Sequence, residues 1–381
     1  MPHVLVDLYK LKTLSCGLGQ FSLHLGQALA DQATDDCRLS MLVPWQGRNL
    51  LGGRRVSRLI AKPWTKDKLV RPVRQLVQRP HWLKPRFDLW HATNQFAKFL
   101  PLDRRIPIVL TIHDLNFLRE RDPASCKIAL ARVQRLVDRS TAITTISNFV
   151  ADELREHLDL RGKPVHVVYN GLVTSSRMAD RRPEYLPEGP FLFSIGEVNP
   201  KKNFHVLVPL LRHLEEYRLV IAGRADSDYA RSISALAAEL GVQDRLVLSG
   251  IISDEDRSWL YTHCAAFVFP SLTEGFGLPV IEAMAHGKPV FSSDRTSLPE
   301  VGGNAAIYWR DFEESSMIRV FRDGMARFAG NPKMAEENRA RARMFSWTRA
   351  AQEYLTLYAD VINVSQPDSH QSPLELRRRA G

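Results

Sequence analysis

The feature that most limits what this chain can fold into is an alternation of short apolar runs with helix-period segments, interrupted once. Val4–Leu8, Arg38–Val43, Asp88–His91, Ile108–Ile112, Ala142–Ile146 and Val165–Tyr169 read as strands. After the first of them, Phe21, Leu25, Ala28 and Leu29 fall at helical spacing. The alternation breaks in 174–190, a stretch rich in Arg, Pro, Glu and Gly, and resumes with Phe191–Ile195, Arg218–Ala222, Arg245–Leu248 and Ala265–Phe269. Near-continuous apolar strands separated by helices are the pattern of parallel sheets covered on both faces. A length of 381 residues fits two such units, so the expected organisation is 1–185 and 186–345 as two α/β domains. A helix within 346–364, opened by Phe345-Ser346-Trp347, and a polar tail, 365–381, would follow.

Charge is distributed unevenly. The net charge is +10, yet residues 48–105 alone hold 15 basic and 3 acidic side chains. Such a segment attracts anions, either lipid headgroups or nucleic acid. Between Lys66 and Gln78 the residues Leu69, Val70, Val73, Leu76 and Val77 recur at helical spacing, with Pro72 inside the run. That suits an element on an anionic membrane surface and equally an amphipathic helix packed on a core. Trp45, Trp64 and Trp82 are too sparse for a base-stacking surface, so nucleic acid is not an expected partner. No apolar run approaches the ~20 residues of a membrane span. The four cysteines, Cys16, Cys37, Cys126 and Cys264, have no metal or redox spacing. The expected location is cytoplasmic, extending to a peripheral position on the inner face of the plasma membrane.

One stretch carries chemistry, Ser271-Leu-Thr-Glu274-Gly275-Phe276-Gly277-Leu278-Pro279-Val-Ile-Glu282. It follows an apolar strand, and Pro279 suits the first turn of a helix. Gly275 and Gly277 let backbone approach a ligand, and a helix start offers free N–H groups to a phosphate. The two carboxylates, in the loop and the first helical turn, suit hydroxyl donors on either side of that phosphate, as a sugar and a ribose would supply. Two solvent-facing glutamates on a plain strand-loop-helix would give the same spacing.

This stretch resembles the donor-site signature of the group 1 (family 4) retaining GT-B glycosyltransferases, mannosyltransferase-like members included. The resemblance implies an α/β GT-B fold, two Rossmann-like domains facing each other across a cleft, with the acceptor on the first and the nucleotide sugar on the second. It implies that Glu282 binds ribose, that Glu274 contacts the donor sugar, and that the backbone of Gly275, Phe276, Gly277 and Leu278 holds sugar and diphosphate. The terminal helix would cross back to the first domain.

Other positions take roles through the same resemblance. Gly17 and Gly19, at the turn into the first helix, would floor the diphosphate. His113, in Thr-Ile-His-Asp-Leu at a strand's carboxyl end, would contact the sugar near its reacting carbon. Gly196, Lys201 and Lys202 lie in Gly-Glu-Val-Asn-Pro-Lys-Lys-Asn, after which a helix is expected through Leu214. Adjacent cations at a helix start oppose its dipole unless an anion joins them. Many members carry Arg where this chain has Glu197, and Lys201 would supply that charge. Arg224 and Gly250 end two further strands, the latter where members read the nucleotide base through backbone groups.

Catalysis would be electrostatic, with His113, Lys202 and Glu274 as its residues, no metal ligand and no cofactor beyond the nucleotide-sugar substrate. Asp226-Ser-Asp228 and Asp254-Glu-Asp256 lie at expected helix starts, which explains them without a metal. The expected reaction moves a hexose, with a lean to mannose from GDP-mannose, onto a saccharide or polyprenol-linked oligosaccharide in surface-polysaccharide synthesis. The alternatives are a sugar-nucleotide epimerase or a glucan synthase of the same fold, and a non-catalytic basic protein that binds membrane or nucleic acid.

Overall fold

The computed structural model describes residues 1–14, 16–34, 36–51, 56–61, 87–173 and 181–365. The expected helix at 66–78, Trp64, Trp82 and all but Ser365 of the expected tail lie outside the described residues.

Two all-parallel sheets form. The first has seven strands in the order β3-β2-β1-β4-β5-β6-β7: β1 His3–Asp7, β2 Arg38–Pro44, β3 Ser57–Ala61, β4 Leu89–Ala92, β5 Ile108–Ile112, β6 Ala142–Thr145 and β7 Val165–Val167. The second has six in the order β10-β9-β8-β11-β12-β13: β8 Phe191–Ile195, β9 Arg218–Ala222, β10 Leu246–Gly250, β11 Ala266–Phe269, β12 Val290–Ser293 and β13 Ile307–Trp309. Both orders reverse once beside the first strand, which places a crevice at the carboxyl ends of the strands there. β5, β6 and β11 are buried along their whole length and read as strands, whereas β12, equally buried, ends in two serines and does not. β3 escaped the sequence reading because it is a mostly exposed edge strand whose apolar part is only Leu59-Ile60-Ala61.

The expected helix from Asn203 to Leu214 is corrected by the structure. Three short 3-10 turns, Pro200–Lys202, Phe204–Leu207 and Pro209–Arg212, replace it. Asn203 sits at φ 57°, left-handed, and Pro209 lacks the N–H an α-helix would use there. Glu282 is likewise one residue further in than expected, which puts it in the second turn, since the helix begins at Leu278 and not at Pro279.

The helix Trp347–Ser365 packs on the first helix, Gly17–Asp31, and on β4. A buried polar network fixes it there: Tyr358 Oη lies 2.6 Å from His91 Nδ1, and Tyr354 Oη lies 3.1 Å from Thr111 Oγ1. The two passages between the sheets run side by side, with Leu172 N donating to the Phe345 carbonyl at 3.0 Å. Tyr169, Phe276 and Phe345 pack ring to ring at that crossing.

Candidate active site

The strand ends of the second sheet build one wall. Gly196, Gly223 and Gly250 terminate the adjacent strands β8, β9 and β10, joined by Gly196 N to the Ala222 carbonyl and Gly223 N to the Gly250 carbonyl, both 2.8 Å. The next residue, Arg224, is exposed and contributes its carbonyl to Val198 N. Beyond Gly196 the 3-10 turn carries Lys201 and Lys202. The Lys202 chain lies over Gly196, and its ammonium sits 4.9 Å above the Phe269 ring at the end of β11.

The loop after β11 meets that turn. Glu274 Oε1 accepts from Lys202 Nζ at 2.5 Å and from Ser271 Oγ at 2.7 Å. Its backbone is held too: Glu274 N donates to Thr296 Oγ1, and its carbonyl accepts from Ser297 Oγ. Gly277 caps the helix Leu278–Ala285 with φ 111°, a conformation open to glycine alone without strain. Pro279 carries no N–H and Val280 N–H already donates to the Gly277 carbonyl at 3.0 Å, so the first-turn amide left for an anion is that of Leu278.

Glu282, in the second turn of this helix, uses one oxygen. Tyr261 Oη donates to Glu282 Oε2 at 2.8 Å, while Arg257 stays 4.0 Å from Oε1. Burial pushes the Glu282 carboxyl above its usual range, with Arg257 and Tyr261 pulling against it.

The first sheet supplies the opposite wall. His113 follows β5 and is buried; its Nε2–H donates to the Thr93 carbonyl at 2.9 Å and its ring stands edge-on to Phe21. Burial lowers its pKa to about 4, a shift the Thr93 bond opposes only in part. The imidazole is therefore neutral near pH 7, with the proton on Nε2 and a lone pair on Nδ1 that can accept a hydroxyl hydrogen. Gly275 presses against this element so closely that an added Cβ would lie 2.3 Å from the His113 carbonyl oxygen.

Further bonds close the two halves on each other. Ser147 Oγ donates to the Gly275 carbonyl at 2.8 Å, and Thr273 Oγ1 to Asn116 Oδ1 at 2.6 Å. Glu300 receives Asn148 N at 2.7 Å, Phe149 N at 3.0 Å and Tyr169 Oη at 2.7 Å, placing a carboxylate on the N-terminus of the helix Asn148–His157. Lys201 Nζ pairs with Glu120 of the first half at 3.0 Å. Burial alone would lower the Lys201 pKa, but its bond to Glu120 and the nearby Glu274 and Asp114 carry it upward.

The structure thus links His113, Gly196, Lys202, Glu274, Gly275, Phe276, Gly277 and Leu278 in one chain of contacts, with the Phe276 ring itself buried against Tyr169 and Phe345. Lys201 turns its ammonium to Glu120 instead of joining Lys202, and Gly17 is the exposed first residue of its helix. Gly19 is buried beneath the Thr13 carbonyl. Tyr261, Arg257, Thr296 and Glu300 were not singled out as site residues because each acts through a partner distant in sequence; Ser271, also passed over, bonds Glu274 only three residues on. The acidic triplets lie at helix starts, where Ser227 and Ser253 cap the backbone and Asp228 and Asp254 pair with arginines one turn on. Among the described residues no group of three His, Cys, Asp or Glu side chains is placed to hold a metal ion.

Asp7, at the end of β1 behind Thr93, is buried with Oδ1 on Tyr9 N and no partner for Oδ2. Burial raises its pKa from 3.8 to about 7. A raised carboxyl adds stability below pH 4 and loses it as pH climbs through 7. Asp7→Asn should therefore become more favourable, relative to the unsubstituted protein, between pH 4 and pH 8, by on the order of 2–4 kcal/mol. Urea melts at the two pH values measure this, and equal differences at both would refute it.

Comparison with known proteins places this geometry. Residues 16–176 match the family described as Glycosyltransferase Family 4, and residues 177–343 match Glycosyl transferases group 1. The O-antigen chain mannosyltransferase RfbU of Salmonella typhimurium is 26% identical over 339 residues, covering 85% of this chain and 93% of that protein. The serotype-specific mannosyltransferase WbdA of Escherichia coli is 28% identical over 243 residues, 60% of this chain; the match spans only 30% of WbdA. Among solved structures, a sucrose-phosphate synthase from Thermosynechococcus elongatus superimposes with a TM-score of 0.72 at 19% identity, covering 96% of this chain and all of that one. Anabaena HepE in complex with UDP and glucose gives 0.71 at 16%, covering 94% of this chain and all of HepE. These likenesses establish the GT-B fold.

Proposed function

The chain belongs to the group 1 (family 4) glycosyltransferases, and from that premise we propose that it is a retaining, metal-independent mannosyltransferase using GDP-mannose. The acceptor is a saccharide or polyprenol-linked oligosaccharide of a surface polysaccharide. The observation that carries this reading is the Lys202–Glu274 pair in the loop before a helix, next to Gly275, which packs on the backbone of a neutral His113. The name and near full-length match of RfbU support mannose.

In this mechanism the donor diphosphate takes the Lys202 ammonium and the Leu278 amide at the start of the helix Leu278–Ala285. Glu274, released from Lys202, accepts a sugar hydroxyl, and His113 Nδ1 accepts another. As the C1–O bond to the diphosphate breaks, negative charge grows on the phosphate oxygen, where the fixed cation and amide stabilise it. The acceptor hydroxyl bonds to C1 on the face the diphosphate leaves and passes its proton to the departing phosphate oxygen.

Thermal shift against GDP, UDP and ADP tests the donor. GDP at 100 times its dissociation constant should stabilise the protein by ~2.7 kcal/mol, with UDP and ADP smaller at equal concentration. A larger shift with UDP would reject GDP-mannose, and an inverted anomeric product by NMR would reject retention. UDP deserves inclusion because HepE, of the same fold, was solved with it.

Among the described residues no helix is long and apolar enough to cross a membrane. Contact with an anionic membrane through residues 48–105 belongs to the proposal. In this segment Arg48 stacks on Trp45, just before it, at 4.3 Å, leaving the indole 43% exposed. Sedimentation with anionic vesicles should fall as salt rises and with R71E and R74E. Salt-independent sedimentation, or none, would remove the membrane from the mechanism.

A further inference from the structure

Tyr261 lies on the helix Asp254–His263, packed by its ring against Phe193 and Phe267 and stacked on His286. Its hydroxyl emerges from this aromatic packing at one place, Glu282 Oε2, with the Pro279 carbonyl a distant second acceptor at 3.4 Å. The ring is 2% exposed, so the hydroxyl has no water to turn to and the bond fixes the Glu282 rotamer. Burial first, and the Glu282 charge next, push the phenol pKa well above 10, so the hydroxyl remains a donor throughout the working range.

Arg257, one turn earlier on the same helix, completes the arrangement. It is held at 3.2 Å by Asp254, and its distance of 4.0 Å from Glu282 Oε1 is too long for a hydrogen bond but close enough to favour the ionised carboxylate. Glu282 thus has one oxygen committed to Tyr261 and one without a hydrogen bond. An oxygen presented in this way suits a vicinal diol, which can donate two hydrogen bonds to it.

We propose that Tyr261 is the positioning residue that aims Glu282 Oε1 at the ribose hydroxyls of the donor nucleotide, making the site selective for ribonucleoside over deoxyribonucleoside diphosphates. This rests on the reading of Glu282 as the ribose ligand. A hydroxyl that meets a preset carboxylate gains a charge-assisted bond; one that must first organise a mobile carboxylate gains far less.

The test is calorimetric titration of the full chain with GDP and 2′-deoxy-GDP, and with UDP and 2′-deoxy-UDP. The wild-type protein should prefer the ribose form by ~10-fold or more, the value of one charge-assisted hydrogen bond. Tyr261→Phe keeps the ring and loses the hydroxyl; it should bring that preference to within ~3-fold, raise KM for the donor and leave kcat at saturating donor nearly unchanged. Tyr308→Phe removes another tyrosine hydroxyl, half-buried and bonded to the Gly303 carbonyl, and should leave the preference intact. Should Tyr261→Phe fail to accumulate as folded protein, Tyr261→Met makes the same comparison. If Tyr261→Phe keeps the wild-type preference while Glu282→Ala abolishes it, the positioning role is wrong and the ribose reading stands. If Glu282→Ala also keeps it, both fall. Equal weakening of ribose and deoxyribose forms by Tyr261→Phe would mark a structural role only and overturn the proposal.

Discussion

Lys202→Met should lower donor turnover by ~10²–10³-fold, the usual cost of removing one preorganised charge from a developing oxyanion. The lysine is 12% exposed and its partner Glu274 15% exposed, so little water screens the ammonium. The substitution keeps an unbranched chain across Gly196, one atom shorter, and removes the charge. Lys202→Arg should recover part of the rate, since it restores the charge with a bulkier, planar head. Lys201→Met should cost much less, because that ammonium is already committed to Glu120 on the other half. Steady-state kinetics of the three variants decide the matter: equal losses for Lys201 and Lys202 would contradict the division of labour seen here. A Lys202→Met protein with wild-type turnover would remove the electrostatic mechanism altogether.

Gly275→Ala should be nearly as damaging, for a different reason. The new methyl group would stand 2.3 Å from the His113 carbonyl oxygen and 3.2 Å from Asp114 Cβ. The His113 backbone directly continues a buried central strand and cannot retreat, so the loop carrying Glu274 must move away. The Ser147–Gly275 and Thr273–Asn116 bonds would stretch with it. A displacement of about 1 Å between groups that flank the reacting carbon is worth roughly 10² in rate, so kcat/KM should fall by about that factor. Each sheet keeps its own core, and far-UV circular dichroism should be unchanged. Gly330→Ala is the control, since nothing lies within 4 Å of the added carbon, and its activity should match the unsubstituted enzyme. Undiminished kcat/KM in Gly275→Ala would show that the two halves need not meet at this point.

Much of the fold was readable because parallel strands buried on both faces leave continuous apolar runs. Phe191–Ile195 and Ile108–Ile112 were delimited to the residue in this way. Caps were readable for the same local reason: Ser253 accepts from Asp256 N, three residues on, as a sequence reader expects. β3, β12, β13 and the broken segment from Asn203 to Leu214 were not read. The three strands have apolar parts of only two or three residues, and the segment hides a left-handed residue behind helical spacing. At the site, Glu274, Lys202 and His113 could be listed from motifs, but their contacts could not.

The chain's own order of residues determined the alternation of strands and helices, the glycine-rich loop before the helix Leu278–Ala285, and the carboxylates on either side of it. Tertiary structure alone decided that Lys202 meets Glu274 across 72 positions and that Lys201 turns to Glu120 across 81. It alone gave Glu282 to Tyr261 and laid Glu300 on a helix of the other half. Local periodicity records which face of an element is buried, within a few residues of itself. Which strand becomes its neighbour depends on crossovers that the whole chain must complete first, and the chemistry of this site lies in those later meetings.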